Sequence, residues 1–170
     1  MICIKRNALN KIRTGASDCC KSQQCWATLS EQEKKWATPK YWSKSVTEEF
    51  IESPDIVDRV IIYDDLQCEA FAECAKDDDM YVIGTVCARY CGIGYGLCAL
   101  VVLLQVLKKK GIKTVYAEVT NDNVPTLALM EKVGFTKDSE SDGKSMFKMD
   151  LTFFNNDVTY NGRTKRYTLD

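Results

Sequence analysis

The sequence predicts an α+β protein of one domain, built on a mixed but mostly antiparallel sheet with flanking helices. Three observations predict this. Three strand-like runs, "RVIIYDD", "CEAFAECAK" and "MYVIGTVCA", follow one another with only the acidic turns "DDLQ" and "DDD" between them, the pattern of an antiparallel meander. An apolar helix between residues 94 and 110 then connects the third run to "IKTVYAEV", and a helical crossover makes the strands it joins parallel. The length, 170 residues, suits a single core, because a domain of this size buries roughly 70% of the surface its unfolded chain exposes.

From the N-terminus, "ICIKR" reads as a short first strand. Two capping boxes follow, Ser30 with Glu33 and Ser45 with Glu48. Each places a hydroxyl and a carboxylate where they satisfy free amides at a helix start. They predict short helices near residues 31–37 and 46–52, ended by Pro39 and Pro54. After the meander, the apolar helix stops at Lys108, Lys109 and Lys110, whose charges suit a helix C-terminus, with Gly111 just beyond. "IKTVYAEV" is the next strand, "NVPTLALMEKVGF" a second helix closed by Gly134, and "KSMFKMDLTF" a last strand. The expected division is one domain over 1–170. Residues 1–55 form an N-terminal strand and helices, 56–154 the core sheet with its helices, and 155–170 a tail.

Composition excludes several classes. With 45% hydrophobic and 28% charged residues the chain is an ordinary globular one, not a disordered one. The longest apolar run, residues 97–107, is broken by Gln105 and is far shorter than the roughly 20 residues of a membrane span. "MICIKRNALNKIR" lacks the continuous apolar stretch of a secretory signal, so a cytoplasmic location and no membrane partner are expected. The nine cysteines show no CxxC pair and there is no histidine, which argues against a zinc site and removes Ser-His and Cys-His nucleophile systems. Several cysteines fall within predicted strands and a helix, where free thiols act as small buried hydrophobes. Charge is uneven: residues 45–80 hold twelve acids against Arg59 and Lys76, a lobe that would attract a cation.

Arg89, Tyr90, Cys91, Gly92, Ile93 and Gly94 carry the strongest functional signal. A strand that turns at once into a helix leaves the first helical amides unpaired, and glycines let a ligand approach that backbone closely; phosphate binds well there. The same glycines also suit a tight turn needing positive φ. No Gly-Lys-Ser/Thr follows, so this is not a Walker loop. The spacing of Gly92, Gly94 and Gly96 is not a dinucleotide fingerprint either.

The context of this turn is more specific. "RYCGIG" resembles the Q/R-x-x-G-x-G/A pyrophosphate-binding motif of the GNAT superfamily of N-acetyltransferases, and "NVPTLALMEKVGF" resembles that family's N-x-x-A-x-x-L-Y-E-K-x-G-F segment. The resemblance is specific over residues 80–135 and general over 56–154. It implies a GNAT-like sheet and acetyl-CoA (coenzyme A) as cofactor. It places the backbone amides from Tyr90 through Gly94, with Tyr95 and Gly96, on the coenzyme pyrophosphate, and Arg89 at the motif's first position. Pantetheine would pair with backbone at Val86, Cys87 and Ala88, and an amide there would polarise the thioester carbonyl as it becomes an oxyanion. Asn123 matches the family's asparagine, and is also placed to cap a helix. Thr126 takes an alanine position. Met130 stands where the family often has a tyrosine that donates to the departing thiolate, which methionine cannot do.

Direct transfer needs an uncharged amine, so a carboxylate or a chain of waters must accept its proton. Glu118, Glu73 and Glu69 on predicted strands are the candidate bases. The resemblance also places Trp36, Tyr41, Trp42, Glu48, Glu49 and Glu52 at the rim of the acceptor cleft, a mixture of aromatics and acids suited to a cationic amine. The implied activity is acetyl transfer to the amine of a small molecule or a protein lysine. Acylation of a nucleic-acid base has weak support from the basic N-terminus and "RTKRY" at 163–167. The contrasting expectation is a non-catalytic acyl-CoA-binding or protein-interaction module, which Met130 favours.

Overall fold

A computed structural model of the chain describes residues 12–14, 24–39, 55–64, 67–90, 92, 94–155, 157–160 and 163–166. The elements in chain order are β1 (Ile12–Thr14), α1 (Glu31–Ala37), β2 (Ile56–Asp64), β3 (Gln67–Asp77), β4 (Met80–Ala88), α2 (Tyr95–Lys109), β5 (Thr114–Thr120), α3 (Val124–Val133), β6 (Thr136–Ser141), β7 (Lys144–Asp150), β8 (Asp157–Tyr160) and β9 (Arg163–Arg166). The first seven strands form one sheet in the order β1-β2-β3-β4-β5-β7-β6, and β8 and β9 pair as a separate hairpin. Every neighbouring pair of the large sheet is antiparallel except β4 with β5, as the crossover through α2 requires.

Local chemistry sets the boundaries. The Ser30 capping box forms: Ser30 Oγ accepts from the Glu33 amide at 3.3 Å, while the Glu33 carboxylate accepts from the Ser30 amide at 2.8 Å. At the end of α2, Gly111 takes φ +83° and donates to the Lys108 carbonyl, and Ile112 donates to that of Leu107, so two otherwise orphaned carbonyls are satisfied. The lysine run also anchors this end, since Lys108 Nζ donates to the carbonyls of Thr152 and Phe154 and Lys110 Nζ pairs with Asp58 at 2.6 Å.

The core lies between α2 and the sheet. Leu100, Leu103, Leu104 and Leu107 are fully buried, and they belong to the same cluster as Ala70, Ala72 and Cys74 of β3. Small residues on that face of β3 let an apolar helix come close. Each fully buried leucine contributes about 1.5–3 kcal/mol relative to exposure. The opposite face of the central strands carries a second cluster, Cys25, Ile61, Cys68, Phe71 and Cys87, with Trp26 and Leu29 against it.

Three bulges interrupt the central ladders. Register shifts leave Val57, Glu69 and Gly84 as extra residues in β2, β3 and β4. The Gly84 bulge switches alternation, so that Ile83 belongs to the cluster under α2, whereas Thr85 and Cys87 share the other face with Phe71 and Glu73.

The expected strand "ICIKR" and the helix near residues 46–52 lie outside the described residues. The sequence reading missed four strands. β1 extends the sheet beyond β2, β6 pairs with β7, and the region expected to be a tail holds the β8–β9 hairpin, with β8 beside α3. Among the described residues no helix is long and apolar enough to cross a membrane.

Candidate functional site

The glycine turn is fixed from both sides. At its start the Arg89 amide donates to the carbonyl of Glu69, the bulged residue of β3, at 2.8 Å. The Arg89 guanidinium lies 5.6 Å from the centroid of the Tyr90 ring, which is 53% exposed. Gly92 follows at φ +82°, and among the described residues nothing lies within 4 Å of where a Cβ would stand. Gly94, at φ +95°, is the N-cap of α2 and makes no side-chain capping bond. The first helical hydrogen bond there runs from the Cys98 amide to the Gly94 carbonyl at 3.0 Å. By contrast α1 and α3 begin with the side-chain caps Ser30 and Asn123. Cys91 and Ile93 lie outside the described residues.

Beside this turn the sheet divides. Val82↔Tyr116 is the one bridge between β4 and β5 among the described residues, whereas β4 stays paired with β3 out to Ala88↔Ala70. Residues 83–88 therefore turn an edge towards β5 without a ladder, and an extended chain could hydrogen-bond there. Val86 and Ala88 flank the start of α2: a Cβ on Gly96 would lie 3.6 Å from Val86 Cγ1 and 3.5 Å from Ala88 Cβ.

The face away from α2 holds the polar groups. Alternation in β5 buries Val115, Ala117 and Val119 under α2 and turns Tyr116, Glu118 and Thr120 the other way. Glu118 is accessible, its side chain 46% exposed, and is paired with Lys144 at 2.7 Å. Thr120 Oγ1 is buried with no hydrogen-bond partner among the described residues. Glu73 is instead sealed beside Arg59: Nε and Nη2 reach its Oε2 at 2.9 and 2.7 Å, with neither side chain exposed. Glu69 is also buried, at the bulge. The acidic lobe is thus partly internal, since Glu73 and the buried Asp58 are engaged by Arg59 and Lys110.

Three thiols gather on this face. Cys25 Sγ lies 3.5 Å from Cys87 Sγ. The hydrogen bond with Cys68 favours the Cys25 thiolate, but the bond to Cys87 and burial outweigh it and push the Cys25 thiol up. The Cys25 hydrogen bond and burial push Cys68 up as well. Cys25 and Cys68 are thus held as neutral thiols, and all three cysteines pack against Phe71 and Ile61. Among the described residues no group of three or more Cys, Asp or Glu is placed to hold a metal ion.

Other candidate positions are more structural. Asn123 caps α3, its side chain accepting from the Thr126 amide at 3.3 Å. Met130 is 1% exposed and part of the main core. Trp36 lies on α1, and its Nε1 donates to Asp122 Oδ1 at 3.1 Å. Tyr41, Trp42, Glu48, Glu49 and Glu52 lie outside the described residues. Asp122 and Thr120 were missed from sequence. Asp122 and Trp36 are 86 positions apart, so no local pattern announces their contact. The Thr120 hydroxyl stands out only once pairing and burial are known. A surface hollow of about 430 Å³ between α3 and the β6–β7 pair, lined by Leu127, Phe135 and Phe147 among others, contains none of the predicted site residues.

Comparison with known proteins follows the same lines. The family model described as Acetyltransferase (GNAT) family matches residues 23–135. No relative was found among curated protein sequences. Among solved structures, PaiA N-acetyltransferase from Thermoplasma acidophilum, in complex with coenzyme A, is 17% identical with a TM-score of 0.59, covering 82% of this chain and 98% of its own. The ribosomal-protein-S18-alanine N-acetyltransferase of Escherichia coli is 15% identical with a TM-score of 0.55, covering 88% and 99%. A domain from Methanocaldococcus jannaschii is 14% identical with a TM-score of 0.60, covering 82% and 98%. At these identities the likeness is one of fold.

Proposed function

The chain belongs to the GNAT acetyltransferase family, and from that premise we propose that it moves an acetyl group from acetyl-CoA to the primary amine of a cationic small molecule or a protein lysine. One observation carries the reading: a glycine turn with positive φ and no side-chain cap at the start of α2 stands beside the opening between β4 and β5. The residues present fit coenzyme A. Open space at Gly92 leaves the backbone accessible to a diphosphate, and the start of α2 favours negative charge. The unladdered edge of β4 fits the amide-bearing pantetheine arm. When bound, the coenzyme supplies an acyl group activated as a thioester.

The chain's own residues bind and orient. Amides of residues 90–96 hold the diphosphate, with Arg89 beside them. Backbone at Val86, Cys87 and Ala88 aligns the arm, and an amide of this stretch stabilises the oxyanion of the acyl carbonyl. Burial of Cys87 at 2% exposure keeps its thiol out of the transfer. Of the three candidate bases, Glu118 is the one that faces solvent on the open arm of β5, where it takes the amine proton directly or through water. Asn123 holds the start of α3 next to this arm. The acceptor approaches beside α1, and the Thr120 hydroxyl, which has no hydrogen-bond partner among the described residues, offers it a hydrogen bond.

The test is thiol release from acetyl-CoA in the presence of spermidine, an aminoglycoside and a lysine-containing peptide, together with calorimetry of coenzyme A binding. Release stimulated by one amine class identifies the acceptor. Tight coenzyme binding without release from any amine would make the chain a coenzyme-binding module, and absence of binding would end the reading of the glycine turn.

A further inference from the structure

On the face away from α2, the two arms of the divided sheet are also linked through α1, beyond the Val82↔Tyr116 bridge. On the β4 side Thr85 Oγ1 donates to the Ala37 carbonyl, the last residue of α1, at 2.9 Å. On the β5 side Trp36 Nε1 donates to Asp122 Oδ1 at 3.1 Å, and Gln32 Nε2 reaches Asp122 Oδ2 at 3.4 Å. Gln32 and Trp36 are four residues apart and so share one face of the helix, the one turned to Asp122. Asp122 stands two residues past the end of β5. The helix therefore straddles the opening on the side away from α2, pinned by one hydroxyl and one carboxylate whose two oxygens serve two donors.

We propose that Asp122 is a positioning residue: by holding Trp36 it keeps α1 as a wall across the far side of the β4–β5 opening, and this wall limits the length of acyl chain the site accepts. The inference rests on the acyl-transfer reading above. An acyl thioester held at the start of α2 would have to pass between the strands towards α1, the element that spans the far side of the opening. A two-carbon group stops short of a fixed wall, whereas a longer chain must displace it. Asp122 makes the wall rigid because an indole N–H held by a charged acceptor is a strong, directional bond.

Four variants test this: Asp122→Ala, Asp122→Asn, Trp36→Phe and the double variant Trp36→Phe/Asp122→Ala. Asparagine keeps an oxygen for the indole N–H, and phenylalanine keeps an aromatic ring without the donor. The first readout is amide hydrogen exchange over residues 31–37 in the protein alone. Asp122→Ala and Trp36→Phe should each speed it about tenfold, Asp122→Asn should change it by less than about twofold, and the double variant should match Asp122→Ala, which already removes the Trp36 bond together with the contact to Gln32. The second readout is the ratio of kcat/KM for acetyl-CoA over butyryl-CoA, with spermidine as the amine. That ratio should fall about tenfold in the two disrupting variants, chiefly through a lower KM for butyryl-CoA, and be kept by asparagine. Unchanged exchange, additive effects in the double variant, or asparagine acting like alanine would overturn the clasp. An unchanged acyl ratio with altered exchange would overturn the selectivity role alone. If wild-type protein binds coenzyme A yet releases thiol from neither thioester, the acyl-transfer reading fails and the selectivity role with it, while exchange still decides whether Asp122 holds α1.

Discussion

Arg59 and Glu73 are register partners on β2 and β3, and the guanidinium makes two bonds to Glu73 Oε2 in a place where neither side chain meets solvent. Taking both charges out of water is costly, and the pair offsets that cost only while both members are present. It also favours a structural role for Glu73 over that of a base, since the carboxylate is buried and held by Arg59.

Glu73→Gln should therefore destabilise the fold by about 3–5 kcal/mol by leaving Arg59 buried without its counter-charge, whereas Arg59→Met combined with Glu73→Leu should recover most of that loss. Urea unfolding measures both. The double variant should also keep its turnover, and a turnover lost in a well-folded double variant would return Glu73 to the list of bases.

Glu118 gives the opposite expectation. Its ion pair with Lys144 is half exposed, so Glu118→Gln should alter stability by no more than about 1 kcal/mol. As the proton acceptor it should lower kcat by roughly 10²–10⁴ with coenzyme affinity unchanged. Turnover within a factor of two of wild type would assign the proton to water or another group.

The glycine turn can be separated from backbone strain by a control built into the same helix. Gly92 and Gly111 have nearly equal positive φ, +82° and +83°, and open space at both Cβ positions, but Gly111 lies at the far end of α2. Alanine at either site should cost about 1–2 kcal/mol of stability from the left-handed backbone. Only Gly92→Ala should also weaken coenzyme A binding in calorimetry. Equal affinities in the two variants would remove the diphosphate from this turn.

Much of this fold was legible because local signals agreed with one another. β4 was read with its observed ends, since the acidic turn at Asp78 and the glycine turn bracket a β-rich run. Ser30 with Glu33 likewise marked α1 to the residue. β6 was missed because "TKDSES" is exposed throughout and has no apolar alternation; its pairing with β7 makes it a strand. A signal was present, for Asp142 and Gly143 both take positive φ in the two-residue turn of that hairpin, a pairing that Asp-Gly favours. The site was less legible than the fold. The glycine turn declares itself in six residues, but the seal on Glu73 depends on strand register and the hold of Asp122 on Trp36 joins residues 86 apart.

The buried thiols set a pH dependence. Burial, followed by the carboxylates of Asp58 and Glu73, pushes the Cys74 thiol up from 9.0 to about 12, and Cys25 and Cys68 are also raised. Below pH 9 a thiol is neutral in both folded and unfolded chains, so these groups leave stability flat through neutral pH. Above it the unfolded chain loses protons that the native state keeps, and stability should fall progressively as pH rises towards 12. Site-resolved iodoacetamide labelling at pH 8 should leave these three unmodified in native protein and modify them in denaturant. Equal labelling in the two states would mean that these thiols are open to solvent.

Met130 decides whether the departure from the family's tyrosine concerns chemistry or packing. The resemblance assigns this position to the leaving thiol, yet the side chain is 1% exposed and belongs to the core that also holds Phe135, Phe147 and Leu151. A tyrosine there must fit a larger ring into a filled space and find a partner for its hydroxyl. Met130→Tyr should thus cost about 1–3 kcal/mol, while Met130→Leu, close in volume and apolar, should cost less than about 1.5 kcal/mol. Neither should raise kcat. If the tyrosine variant melts like wild type and turns over faster, its hydroxyl must reach the sulfur, and the packing role would give way to the chemical one. If it is destabilised and its residual turnover matches wild type, thiolate departure proceeds without a proton from this helix, as a leaving group with an ordinary thiol pKa of about 8.5 allows.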